Sequence, residues 1–185
     1  INGLDYKKLT VDKELGNRIK KDPGIYYNID NLDYHYNFDN IVILVKEVLN
    51  EVISESYKNI NKILIVGLGN ELITPDSLGP MVVNKIEVNS HYEKNGRYLV
   101  SAICPGVKGC TGMESAEIVK SLCDRFNFDL VIVVDALACN HISRMCNSIQ
   151  VCTAGISPGA GIGNHVMGIN KETLGYPPSL ILIVI

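Results

Sequence analysis

"VGLGNELITPDSLGP", residues 66–80, hands an apolar strand to a helix through a turn carrying glycines, an amide and two acids. The run just before it, "NKILI", is strand-like. Pro80 suits the first turn of a helix, where its missing N–H costs little. Glycine-rich turns of this kind often hold phosphates, but this one departs from that pattern. Gly67 and Gly69 are present, the third glycine of a dinucleotide fingerprint is Leu72, and no P-loop signature occurs in the chain. Asp76 sets a negative charge where a phosphate would bind. The turn reads as a device for presenting a carboxylate, with a helix N-cap as the plainer use of the same aspartate.

Outward from this turn, strands and helices alternate. "FDLVIVVDAL" (128–137) is an unbroken apolar run, the mark of a strand buried on both faces in a parallel sheet. "RYLVSAICPG" (97–106), "NSIQVCT" and "SLILIVI" read as further strands. Helical spacing runs from Asp39 to about Tyr57, through "LGPMVVNKIEV", and over 112–126 with Ala116, Ile118, Val119, Leu122 and Cys123 inward. The expected fold is α/β: a single-domain three-layer sandwich with a largely parallel sheet. Residues 1–185 form one domain, in which 1–38 make a polar, β-rich N-terminal cover and 39–185 the α/β core. No repeat or linker divides it.

Composition narrows the function. The 185 residues are 46% hydrophobic and 20% charged, with a formal net charge of −3, so no basic surplus points to direct contact with nucleic acid. No apolar stretch reaches the roughly 18 residues of a membrane span, and "INGLDYKKLTVDKEL" is too polar for a signal peptide. The six cysteines form no C-x-x-C pair, which fits reduced, partly buried thiols in a cytosolic protein. Cys104 and Cys123 sit in apolar company. The chain starts at Ile1 and stops on an apolar run, as a fragment, a processed form or a chain with missing ends would.

Ligands of parallel sheets bind beyond the carboxyl ends of the strands. Asp76 follows one core strand and Asp135 closes another, so neighbouring strands would bring both acids to one rim. Two such carboxylates raise one another's proton affinity and can act as acid and base on a water and a peptide bond. The helix dipole favours an ionised Asp76, and burial favours a protonated Asp135. Other readings are weaker. "GISPG" (155–159) matches a serine nucleophile elbow only formally, because Pro158 supplies no N–H and no helix follows Ser157. Cys139 and His141 lie too close in sequence for a good nucleophile–base pair. A metal site built from Asp76, Asp135 and His165 is the alternative, although no dense ligand cluster supports it, and no cofactor is expected. The glycine-rich loops offer backbone to an extended peptide or an oxyanion, with Gly69, Asn70, Gly106, Gly109, Gly159 and Gly161 as candidate contacts.

Several of these stretches, taken in order, resemble the germination protease of spore-forming bacteria: "GLGNELITPDSLGP", "SAICPGVKGCTGMES", "FDLVIVVDALA", "TAGISPGAGIGN" and "ETLGYP". The resemblance implies an atypical aspartic-type endopeptidase that degrades small acid-soluble spore proteins at the start of germination. It places the two aspartates on Asp76 and Asp135. It further implies a zymogen, a homotetramer, work in the cytoplasm of the spore core, and a core similar to that of the hydrogenase-maturation proteases. A metal-dependent processing protease and a catalytically silent, peptide-binding paralogue are the competing readings.

Overall fold

The computed structural model describes residues 6–30, 32, 38–91, 98–137, 145–156, 167–175 and 179–184, the last stretch by its backbone. The strands among them are β1 (Tyr6–Val11), β2 (Gly24–Asp30), β3 (Lys62–Gly67), β4 (Leu99–Ile103), β5 (Leu130–Ala136), β6 (Ser148–Cys152) and β7 (Ser179–Val184). The helices are α1 (Lys13–Ile19), α2 (Phe38–Ser56), α3 (Leu78–Val83), α4 (Lys108–Thr111), α5 (Ser115–Phe126) and α6 (Lys171–Leu174), with a 3₁₀ turn at Thr74–Asp76.

The strands make one sheet in the order β1-β2-β6-β7-β5-β3-β4. β4, β3, β5 and β7 run parallel, and β6, β2 and β1 continue the sheet antiparallel. β7 is the joint, parallel to β5 on one side and antiparallel to β6 on the other. The first two strands therefore extend the same sheet as the core.

Helices cover both faces. On α2, Ile41, Leu44, Val48 and Val52 recur at helical spacing and pack on Tyr27, Ile29, Ile63, Leu130 and Val151. On the opposite face, Ala116, Val119 and Cys123 of α5, with Leu174 of α6, meet Leu64, Val66, Val131 and Val133. β5 is the middle of this sandwich. Leu130, Val131, Val133 and Val134 are all buried, each stabilising the fold by roughly 1.5–3 kcal/mol. Just before β5, Asp129 accepts N–H bonds from Asn61 and Lys62 at 2.9 and 2.8 Å, which fixes the start of β3 beside the start of β5.

Two helices are shorter than their periodicity predicts. α3 stops at Val83 instead of continuing to Val88. Its last bonds tighten to three-residue turns, from Lys85 to Val82 and from Ile86 to Val83, and the chain then leaves to pair Asn89 and Ser90 with Val100 of β4. The helix expected over 112–126 starts late, and a separate short helix, α4, precedes it. Gly112, at φ 73°, ends α4 in the left-handed region, and α5 starts three residues later at Ser115.

Candidate active site

β3 and β5 are hydrogen-bonded neighbours, with Gly67 opposite Val134. Asp135 thus stands just past the end of β3, beneath the turn that leaves it. That turn folds back over β5: the Leu68 N–H donates to the Val134 carbonyl at 2.8 Å. Glycine makes the close approach possible. A Cβ on Gly67 would lie 2.2 Å from the Gly79 carbonyl oxygen, and one on Gly79 would lie 2.2 Å from that of Leu68 and 2.7 Å from that of Val134. α3 therefore rests backbone to backbone on the ends of β3 and β5.

The loop between Gly69 and Asp76 closes on itself. The Asn70 N–H donates to the Asp76 carbonyl at 3.0 Å, and the Asp76 N–H donates to Ile73 at 2.8 Å. The Asn70 side-chain oxygen accepts from the Leu72 N–H at 3.0 Å. Gly69 has φ 112°, and a Cβ there would lie 2.0 Å from the Asp76 carbonyl oxygen and 3.0 Å from its Oδ1. Asp76 is the last residue of the 3₁₀ turn; the helix cap is Ser77, which makes no capping bond from its side chain. The carboxylate of Asp76 is half-buried and accepts no hydrogen bond among the described residues.

Asp135 is only 6% exposed. One carboxylate oxygen accepts the Ala136 N–H at 2.9 Å. Burial pushes its proton affinity up from 3.8 to about 7; the Ala136 bond opposes this, and the nearby charge of Asp76 adds to it. The two acids expected to share a rim are therefore within electrostatic reach of each other.

The sequence of this strand–turn–helix unit, and of the rest of the chain, matches the model of the germination protease family over residues 1–184. The chain belongs to the germination protease family. Among relatives in that family, the germination protease of Clostridium perfringens strain SM101 is 38% identical over 96% of this chain and 61% of its own length. That of Caldanaerobacter subterraneus is 45% identical over 72% of this chain and 44% of its own. That of Bacillus subtilis is 36% identical over 95% of this chain and 51% of its own. The chain thus spans roughly half of the length of the germination proteases it matches. A solved [NiFe] hydrogenase maturation protease from Thermococcus kodakarensis aligns with TM-score 0.47 and 19% identity, over 74% of this chain and 79% of that one.

The other candidate contacts are distributed unevenly in this germination protease fold. Gly69 makes room for Asp76, as its φ and its missing Cβ show. Asn70 spends its side-chain oxygen on the turn and aims its amide at Cys110 Sγ, 3.8 Å away. Gly106, at φ 74°, accepts the Ser115 hydroxyl at 2.9 Å and anchors the start of α5. Gly109 lies in α4 with open space where a Cβ would be. Gly159, Gly161 and His165, like Ser157, Cys139 and His141, lie outside the described residues. Among the described residues no three His, Cys, Asp or Glu side chains converge as metal ligands. None of the helices described is long and apolar enough to cross a membrane.

The thiols divide. Cys123 and Cys152 are buried, whereas Cys104, Cys110 and Cys146 are exposed. Cys104 leaves its apolar neighbours because it lies past the end of β4, where the chain turns outward. Partial burial, followed by the charge of Glu71, raises its proton affinity. Sequence reading missed the structural role of the Gly67–Gly79 pair. Its signal was present in the spacing of "GLG" and "LGP", but Gly67 was weighed for phosphates and neither glycine for packing of backbone on backbone.

Proposed function

We propose that this chain carries the catalytic site of an endopeptidase that degrades small acid-soluble spore proteins at the start of germination, with Asp76 and Asp135 activating a water. The observation that carries this reading is the buried Asp135, which accepts the Ala136 N–H and is raised to about 7 beside a half-exposed Asp76. A carboxyl that keeps its proton near neutral pH is a general acid, and a partner carboxylate within reach is a general base.

In the proposed step the water oxygen attacks the scissile carbonyl carbon. Its proton passes to Asp76, while Asp135 protonates the carbonyl oxygen. The tetrahedral diol then collapses: Asp76 returns its proton to the leaving nitrogen, the C–N bond breaks, and Asp135 recovers a proton from the second hydroxyl. Atoms and charge balance, and both acids end as they began. On this reading the chain is a single peptidase domain. The enzyme is made as a zymogen, assembles as a homotetramer and works in the cytoplasm of the spore core.

The test is cleavage of a purified small acid-soluble spore protein by Asp76→Asn and Asp135→Asn proteins, with thermal unfolding followed in parallel. Each change keeps the shape and removes the proton-transfer group. Each should lower kcat by roughly 10³-fold or more in a folded protein, and the double variant should lose little beyond the singles. A folded single variant that cuts at near parental rate rules the pair out.

A further inference from the structure

Among the described residues β4 is the last strand of the sheet, and they close its outer edge along only part of its length. In a parallel ladder the N–H and C=O of one residue point to the same side, and alternate residues point to opposite sides. The Leu99 N–H donates inward, to Asn61 at 2.7 Å. Val100 points outward. Its N–H donates to Asn89 Oδ1 at 2.7 Å, and its carbonyl accepts from the N–H groups of Asn89 and Ser90 at 3.1 and 3.2 Å. Two residues on, Ala102 points outward as well. Its N–H and C=O have no partner among the described residues, and the residue is only half-buried. The closed part of the edge lies away from the aspartates, and the open part lies at the carboxyl end of the sheet, where Asp76 and Asp135 stand.

Along β4, between the sheet and α5, runs a groove of about 450 Å³: Ala102, Ile103 and Leu122 line it beside the open part, and Lys62, Leu99 and Phe126 line it toward the closed part, with Ser90 and Ser101 adding polar wall. Phe126 is 53% exposed. An outward N–H and C=O with no partner among the described residues, beside a trough of mixed apolar and polar lining, is the chemistry of strand addition: backbone bonds hold an extended peptide and the trough takes alternate side chains.

We infer that an extended stretch of the polypeptide substrate adds to the β4 edge at Ala102 and lays a side chain in this groove. The inference rests on the peptidase reading and names where its substrate is held. An added strand lies about 4.8 Å outside β4, so the loop after β3 that carries Asp76 is about two strand spacings away. An extended chain covers that span in about three residues. The substrate segment paired with Ala102 therefore stands about three residues or more from the scissile bond, and a peptide too short to reach the edge gains nothing from it.

The test uses a small acid-soluble spore protein as probe. Amide hydrogen exchange at Ala102 is followed in the Asp135→Asn protein, which reads binding apart from cleavage. With probe in excess, the Ala102 amide should exchange at least about tenfold more slowly, since opening the added strand must precede exchange. In the parent enzyme, Ala102→Pro removes the outward N–H at an edge position where proline is tolerated. It should raise KM about fivefold to tenfold, the worth of one backbone hydrogen bond, with kcat held within about twofold. Ala102→Val, which keeps the N–H, should raise KM less than Ala102→Pro does. If the proline protein does not fold, the exchange measurement decides alone. An Ala102 amide unaffected by bound probe overturns the inference. So does protection that depends on protein concentration without probe, which would assign the edge to a second copy of the chain. An Asp76→Asn protein that still cuts, with Ala102 protected, fails the aspartate reading alone; an inactive one with Ala102 unprotected fails the edge inference alone.

Discussion

The two wings of the sheet each carry a prominent carboxylate, and they treat it in opposite ways. In the antiparallel wing, Glu51 of α2 accepts the Tyr6 hydroxyl at 2.6 Å, Lys8 Nζ at 2.9 Å and the Tyr27 hydroxyl at 3.2 Å. Those bonds, the one from Tyr6 first, lower its proton affinity below the ordinary 4.5. In the parallel wing, Asp135 has one backbone partner among the described residues and a second acid nearby, and burial raises it to about 7. A carboxylate surrounded by donors is a fastening between helix and sheet. One deprived of donors costs the fold stability whenever it ionises, and such groups mark sites of chemistry. The contrast separates the wing that holds the molecule together from the wing proposed to act.

The strongest way to break that contrast is through activity. Glu51→Gln should leave cleavage of a spore protein within about twofold of the parent, against the loss of roughly 10³-fold or more expected at either aspartate. A comparable loss at Glu51 would mean that the two wings are not functionally distinct.

The next effect is on stability against pH. Asp135 has its proton affinity raised in the folded state, so its contribution is fully present below about pH 4 and is lost as pH rises through about 7. Across that window the parent gives up about 4 kcal/mol at this site. Asp135→Asn does not ionise and avoids the loss. Chemical unfolding from pH 4 to 8 should show the Asn variant gaining on the parent as pH rises. A constant difference across the range would mean that Asp135 is not a buried, proton-holding group.

The turn that holds Asp76 over Asp135 is tested by its glycines. Ala at Gly79 or Gly69 meets backbone oxygen at 2.2 or 2.0 Å, and backbone has little room to yield. Each should cost about 3 kcal/mol, the range of overpacking against a rigid wall. Gly109→Ala, with open space around it, should cost less than about 0.5 kcal/mol. Denaturant midpoints of the three variants decide, and equal midpoints would show that the turn is not held by these contacts.

Much of this was legible in the residues. The unbroken apolar run of β5 fixed a doubly covered strand, and the acid closing it was bound to stand at a carboxyl rim. The four core positions of α2 followed from spacing alone. What sequence could not supply was neighbourhood. Only the pairing of Gly67 with Val134 makes β3 and β5 adjacent and sets Asp76 near Asp135. The early end of α3 was hidden for a related reason. Its apolar period continues to Val88, but Asn89 and Ser90 are committed to the edge of β4, a contact far along the chain. Likewise the late start of α5 follows from Gly112, a left-handed residue that ends α4 just before it.

The smallest effect sharpens the comparison most, because its sign is opposite. Glu51 is held in its charged form, so its contribution is present above its ordinary 4.5 and is lost as pH falls through its lowered folded value. Its side chain is 29% exposed, and water screens part of the ion pair with Lys8. The bonds from Tyr6 and Tyr27 remain the main contribution, and Gln can replace them only as a neutral acceptor. Glu51→Gln should therefore cost about 1 kcal/mol at neutral pH. As pH falls through that lowered value the glutamate takes up a proton, and parent and variant should converge. The Asp135→Asn difference should meanwhile grow at the other end of the scale. Thermal melts of both variants at pH 3.5, 5.5 and 8 would set the two trends side by side. If the Glu51 difference instead grew with acid, the cluster would be holding a protonated glutamate, and the division between a fastening acid and a proposed catalytic one would collapse.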